Sequence, residues 1–85
     1  MRIEVNVPEY EPAHGMSLIW EYGFTIEALI KDGSVVLRAN EAGLVSLARH
    51  LLTLAQQAVP AGHHLHLDGS NSLEEGSCEF IIEKM

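Results

Sequence analysis

Only one stretch of this sequence has a helical period, and that limits the possible folds more than any other feature. Asn40 is a good N-cap, Glu41 puts a negative charge on the first turn, and Pro60-Ala61-Gly62 marks the far limit, so the sequence predicts a helix from about Glu41 to Ala58. At about 100° per residue, Leu44, Leu47, Ala48, Leu51, Ala55 and Ala58 form the centre of an apolar stripe, flanked by Val45, Leu52 and Leu54. Ser46, Arg49, His50, Thr53, Gln56 and Gln57 occupy the opposite face. The stripe reads as core rather than as a partner groove. Gly43 costs about 1 kcal/mol against Ala in a helix but falls in the first turn, where it is tolerated.

The rest of the chain alternates with a period of two, as half-buried strands do. Arg2 to Val7 sets Ile3, Val5 and Val7 against Arg2, Glu4 and Asn6, and Pro8 and Pro12 then open a loop. Ser17 to Tyr22 sets Leu18, Trp20 and Tyr22 against Ser17, Ile19 and Glu21. Phe24 to Lys31 alternates again and turns at Asp32-Gly33, a pair that accepts the positive φ angles of a tight hairpin, into Ser34 to Ala39. After the helix, His63 to Asp68 and Ser77 to Glu83 read as two more strands around a Gly/Ser/Asn-rich loop. The expected fold is α+β: one two-layer domain over residues 1–85, with a largely antiparallel sheet of about six strands in the order ββββαββ and the helix on one face.

Eighty-five residues allow one small core, with about 63 % of the unfolded chain's surface buried. Charge is the informative part of the composition: twelve acids against five Lys and Arg give −7 with His neutral. That field repels phosphate backbones and anionic headgroups, so nucleic acid and membrane surfaces are poor partners, whereas a basic protein or a cation is attracted. No apolar run approaches a membrane span, and Glu4 interrupts the region where an export signal would be continuous, so a cytoplasmic location is expected. The single Cys78 excludes an intrachain disulfide.

A helix about 27 Å long covers three or four strands spaced at about 4.8 Å, which leaves the other sheet face without cover from the chain itself. Alternation places Glu4, Glu21, Glu27, Arg38, Glu79 and Glu83 there, interrupted by Ile19, Leu29, Val36 and Ile81. These aliphatics are either scattered or the apolar centre of an interface with an acidic rim; in the second case Ile19, Glu21, Glu27, Leu29, Glu79, Ile81 and Glu83 are the candidate partner-binding residues. The helix holds only Glu41 of the twelve acids, so the negative field belongs to the sheet and loops.

Other chemistry is thinly represented. His64, His66 and Asp68 project from one strand face with ligand types that suit zinc, but they also alternate outward simply because Leu65 and Leu67 alternate inward, and a site needs a further ligand such as His14 or a glutamate. Cys78 falls on an inward position, where cysteine acts as a small hydrophobe. The glycines are scattered singly and form no phosphate-cradling loop, and no carboxylate pair sits in a catalytic context. No cofactor is indicated.

The helix and the segments after it resemble a bacterial immunity protein family, the one numbered thirty-two among polymorphic-toxin systems. The residues that carry the resemblance are Asn40-Glu41-Ala42-Gly43-Leu44-Val45-Ser46-Leu47-Ala48-Arg49-His50-Leu51-Leu52-Thr53-Leu54-Ala55, Pro60-Ala61-Gly62-His63, His66-Leu67-Asp68, Asn71-Ser72-Leu73 and Ile81-Ile82-Glu83-Lys84. Gly15-Met16, Leu18 with Trp20, and Asp32-Gly33 match more loosely. The resemblance implies a small α+β protein, not an enzyme, that binds and neutralises a toxin encoded beside it. It brings no set of toxin-binding residues, and His63-His64 are not family ligands. The expectation is therefore an immunity protein that masks a basic toxin site with an acidic sheet face; the alternative is a metal-binding or homodimeric α+β domain.

Overall fold

The computed structural model describes residues 1–85. Two antiparallel hairpins bracket one helix in chain order: β1 (Ile26–Lys31), β2 (Ser34–Ala39), α1 (Glu41–Leu54), β3 (His64–Leu67) and β4 (Phe80–Glu83). The fold is α+β as expected, but its four strands form two separate two-stranded sheets rather than one six-stranded sheet in the order ββββαββ.

The first hairpin follows its turn chemistry. Asp32 and Gly33 adopt φ of 51° and 79°, and the register runs from Lys31 opposite Ser34 to Ile26 opposite Ala39. The second hairpin pairs His64 with Glu83 through to Leu67 with Phe80. Its last strand begins later than the alternation from Ser77 suggests, because the preceding residues serve β1 instead. The Glu74 and Cys78 amides donate to the Ile26 and Ala28 carbonyls, each at 2.8 Å, and the Ala28 amide donates to Ser77 Oγ at 3.2 Å. This irregular crossing satisfies the free edge of β1 and ties the two hairpins together without making them one sheet.

The two strands expected within residues 2–7 and 17–22 do not form. A ladder needs a neighbouring strand to take its backbone groups, and here the helix takes them with side chains. Arg49 Nε donates to the Asn6 carbonyl at 3.0 Å and Nη1 to that of Ile19 at 3.3 Å; Gln56 Nε2 donates to the Pro8 carbonyl at 2.8 Å and its Oε1 accepts from the Tyr10 amide at 2.9 Å. Leu18 and Trp20 still reach the core, as their alternation indicates, while Ile3 and Tyr22 are exposed.

That clamp also decides which way α1 faces. Its buried residues are Gly43, Ser46, Leu47, His50, Thr53 and Leu54, so most of the face that reads as polar points inward. Of the apolar centre only Leu47 is buried; Leu44, Ala48, Leu51, Ala55 and Ala58 are exposed, as are the flanking Val45 and Leu52. The stripe is not the core, contrary to what its periodicity suggests. Polar residues face inward because the N-terminal segment and β1 offer them partners and a close approach. The Glu21 amide donates to Ser46 Oγ at 2.8 Å, and a Cβ on Gly43 would stand 2.5 Å from the Thr25 carbonyl oxygen and 3.0 Å from Ala39 Cβ. Gly43 is thus needed for contact, not merely tolerated.

Helix ends are well supplied. Asn40 Oδ1 accepts from the Gly43 amide at 2.8 Å and from the Thr25 amide at 3.0 Å, so the cap also fixes β1. The helix stops at Leu54, earlier than Ala58, and Lys84 Nζ donates to the Gln56 and Val59 carbonyls just beyond it. Two small apolar clusters result: Ile26, Ala28, Leu47, Leu67 and Leu73, and then Leu54, Val59 and Leu65.

Candidate functional site

The second hairpin presents the clearest outward-facing set. Leu65 and Leu67 are buried, so the pleat turns His64 and His66 outward, opposite Glu83 and Ile81 respectively. Glu79, Ile81 and Glu83 are all exposed, with an aliphatic between two carboxylates on one edge of the strand pair. His66 Nε2 lies 3.3 Å from Glu79 Oε2 and 3.7 Å from Asp68 Oδ2. His64 does not join it; its Nδ1 stands 3.5 Å from the Gly62 carbonyl oxygen. No three His, Cys, Asp or Glu side chains are grouped to hold a metal ion. The His64, His66 and Asp68 positions share a strand, but their side chains are not assembled as one ligand set.

On the first hairpin, Glu27 pairs with Arg38 at 3.1 Å, and Leu29 opposite Val36 forms the next rung but one on the same face. An exposed pair of this kind contributes at most about 1 kcal/mol. Glu27 and Arg38 also line a shallow cleft of about 360 Å³ with Thr25, Ala39, Asn40 and Glu74. Ile19 and Glu21 belong to neither hairpin. Glu21 Oε1 is held by Arg49 Nη2 at 2.9 Å, and Ile19 is half exposed on the N-terminal segment with its carbonyl on the same guanidinium. The seven candidate partner-binding residues therefore fall into three groups instead of one sheet face.

Three of the five cationic side chains are engaged internally: Arg38 with Glu27, Arg49 with Glu21 and two carbonyls, and Lys84 with the end of the helix. Most carboxylates have no such partner; the first hairpin is balanced, with Glu27 and Asp32 against Lys31 and Arg38, while Glu79 and Glu83 of the second face no Lys or Arg within it. Residues 34–85, more than half of the chain, match the model of the family described as Immunity protein 32. The chain belongs to that family. No curated protein and no solved structure matches it. The family match spans β2, α1, β3 and β4, the region whose residues carried the resemblance, and it begins after β1 and the N-terminal clamp.

Within this immunity-family chain, the one buried ionisable group is His50. It has no solvent exposure, neither ring nitrogen has a hydrogen-bond partner, and the Trp20 ring packs edge-on at 4.2 Å. Burial, and then the neighbouring Arg49 guanidinium, push its pKa below the ordinary histidine value of 6.5, so the neutral ring is favoured. Ser46 lies one turn away, but its hydroxyl accepts from Glu21 and not from His50, so the two do not form a nucleophile–base pair. Cys78 is half-buried against the core, as its inward position indicates.

Arg49 and Gln56, which hold the N-terminal segment, were not singled out by sequence reasoning. A signal for them does exist. A helix face meant for water carries several charges, whereas Ser46, Arg49, His50, Thr53, Gln56 and Gln57 include a single permanent one.

Proposed function

We propose that this protein binds a cognate bacterial toxin and neutralises it by covering a basic surface of that toxin. Family membership supports the toxin-neutralising role. The observation that carries the choice of surface is the row Glu79, Ile81 and Glu83 on the second hairpin, two exposed carboxylates around a half-exposed isoleucine. Such a row supplies an apolar contact within an acidic rim, while the net charge of −7 speeds encounter with a basic partner. Glu27 and Leu29 on the first hairpin are a second, separate pair of candidate contacts. Ile19 and Glu21 on the N-terminal segment form a third group, and the cost of replacing Glu21 is partly structural because it holds Arg49.

The protein acts by occupancy, not by turnover, and it works inside the producing cell, where a toxin would otherwise attack. The same charge disfavours nucleic acid and anionic membranes as partners. No helix is long and apolar enough to cross a membrane.

The test is co-expression with the toxin encoded beside the gene, together with a direct binding measurement. The double variant Glu79→Lys/Glu83→Lys should retain its melting temperature and lose at least roughly 100-fold in toxin affinity, with added salt weakening the wild-type complex. Full protection by that variant, at unchanged affinity, overturns the assignment of this surface.

A further inference from the structure

The exposed side of α1 is an apolar surface of four large side chains and two alanines, and we infer that it is where a second copy of this chain docks to form an antiparallel dimer. Three observations point to that occupant. The first is the pattern: Leu44, Ala48, Leu51 and Ala55 recur at the four-three-four spacing of a coiled-coil seam, and all four are exposed, with Ala55 still in helical backbone geometry. Laid antiparallel against itself, the helix sets Leu44 opposite Ala55 and Ala48 opposite Leu51. Each leucine then meets an alanine, so two identical helices interdigitate at close approach, as a two-fold interface requires of one self-complementary patch.

The second observation is charge. Copies of a chain carrying −7 repel one another wherever carboxylates face across a contact. The side formed by Leu44, Val45, Ala48, Leu51, Leu52 and Ala55 carries one charge, that of Glu41 at the helix start, in line with Ala48 and Ala55, and it is the only acid the helix holds. Antiparallel packing brings Glu41 of each copy toward the opposite helix end, where Lys84 is held on the Gln56 and Val59 carbonyls. With one acid, this side offers a basic toxin less than the Glu79 and Glu83 row of the second hairpin does, so the two surfaces suit different partners.

The third is area. Leu44, Leu51 and Leu52 are each about half exposed and Val45 and the two alanines add to them, giving roughly 400 Å² per copy, the size at which an exposed apolar patch marks an interaction site. Two such patches with their rim reach the lower limit of about 1,200 Å² for a specific interface, which fits a reversible dimer rather than an obligate one.

Sedimentation equilibrium of the full chain from about 5 to 500 µM tests this, alone and with raised salt. The expected result is a monomer–dimer equilibrium that tightens as salt screens the repulsion between copies, the opposite of the salt response proposed for the toxin complex. Ala48→Glu/Leu51→Glu, both at exposed positions, should stay monomeric throughout with an unchanged melting temperature. In a Cys78→Ala background, Ala48→Cys/Leu51→Cys should oxidise to a covalent dimer joined between positions 48 and 51. A wild-type chain that remains at 9.4 kDa over the whole range overturns the proposal, and so does a dimer unaffected by Ala48→Glu/Leu51→Glu. A monomeric wild type whose toxin binding is lost in that variant also overturns it, and gives the helix face to the toxin. Glu79→Lys/Glu83→Lys should leave the dimer intact, so failure of one surface assignment is separable from failure of the other.

Discussion

The two sides of α1 invert the usual arrangement of an amphipathic helix. The inner side carries Ser46, His50 and Thr53 with no solvent exposure, while the outer side presents Leu44, Leu51 and Leu52 about half exposed. The inner side is tolerable because its hydroxyls are bonded, Ser46 to the Glu21 amide and Thr53 to the Arg49 carbonyl at 2.8 Å, and because Arg49 and Gln56 reach around to hold the N-terminal segment. His50 is the exception, since its two nitrogens are unpaired in an aromatic setting. The outer side lacks any partner within the chain. Hydrophobicity alone does not orient a helix: bonding opportunities and close backbone approach, here at Gly43, select between two faces that both have a claim to burial.

The largest expected effect separates two leucines that the helical period treats alike. Leu47→Ala should cost about 3 kcal/mol in chemical denaturation, because Leu47 packs with Ile26, Ala28, Leu67 and Leu73. Leu51→Ala should stay within about 0.5 kcal/mol at concentrations where the chain is monomeric. Equal losses at both positions would break the inverted orientation.

Next comes Gly43→Ala. Its Cβ meets backbone oxygen of Thr25 at 2.5 Å, so the first turn must lift from β1, and we expect a loss of about 2 kcal/mol despite alanine's better helix propensity. A more stable Gly43→Ala protein would mean that the close approach is absent. Arg49→Ala should cost about 1.5 kcal/mol, and it should speed amide exchange and proteolysis selectively within residues 1–22, whose carbonyls and Glu21 carboxylate it holds. Uniform loosening of the whole chain would argue against a local clamp.

The smallest effect at neutral pH is the pH dependence of His50. Its folded pKa lies below 6.5, so at pH just under 6.5 the unfolded chain binds more protons than the folded one. The stabilisation is complete above about pH 6.5 and is lost as pH falls through the depressed folded value, with a slope no steeper than about 1.4 kcal/mol per pH unit for one proton. His50→Leu should remove that component from melting curves taken across the window. An unchanged acid profile in His50→Leu would place the titration elsewhere.

Local signals read correctly wherever the physics was local. Asp32-Gly33 makes its turn, Ser34–Ala39 has the expected limits, Asn40 caps the helix at Glu41, and Leu65 and Leu67 face inward on a strand whose histidines face out. The family resemblance, carried by the helix and the segments after it, agrees with the match over residues 34–85. The candidate surface was legible in part. Glu79, Ile81 and Glu83 share one exposed strand edge, but Glu21 serves Arg49, and the metal-like His64, His66 and Asp68 do not converge.

Turn chemistry, capping and alternation act over a few residues, so the sequence by itself determined where the first hairpin turns, where the helix begins and which residues of His64–Leu67 point inward. Partnering between distant segments is not encoded in any period. Arg49 and Gln56 reach more than forty residues back to Asn6, Pro8 and Tyr10, and their hydrogen bonds replace a sheet ladder for the N-terminal segment. Only the tertiary structure decided that the first two alternating stretches are not strands and that the helix turns its apolar stripe outward, because side-chain capture of backbone groups outweighed the burial of Leu44, Leu51 and Leu52.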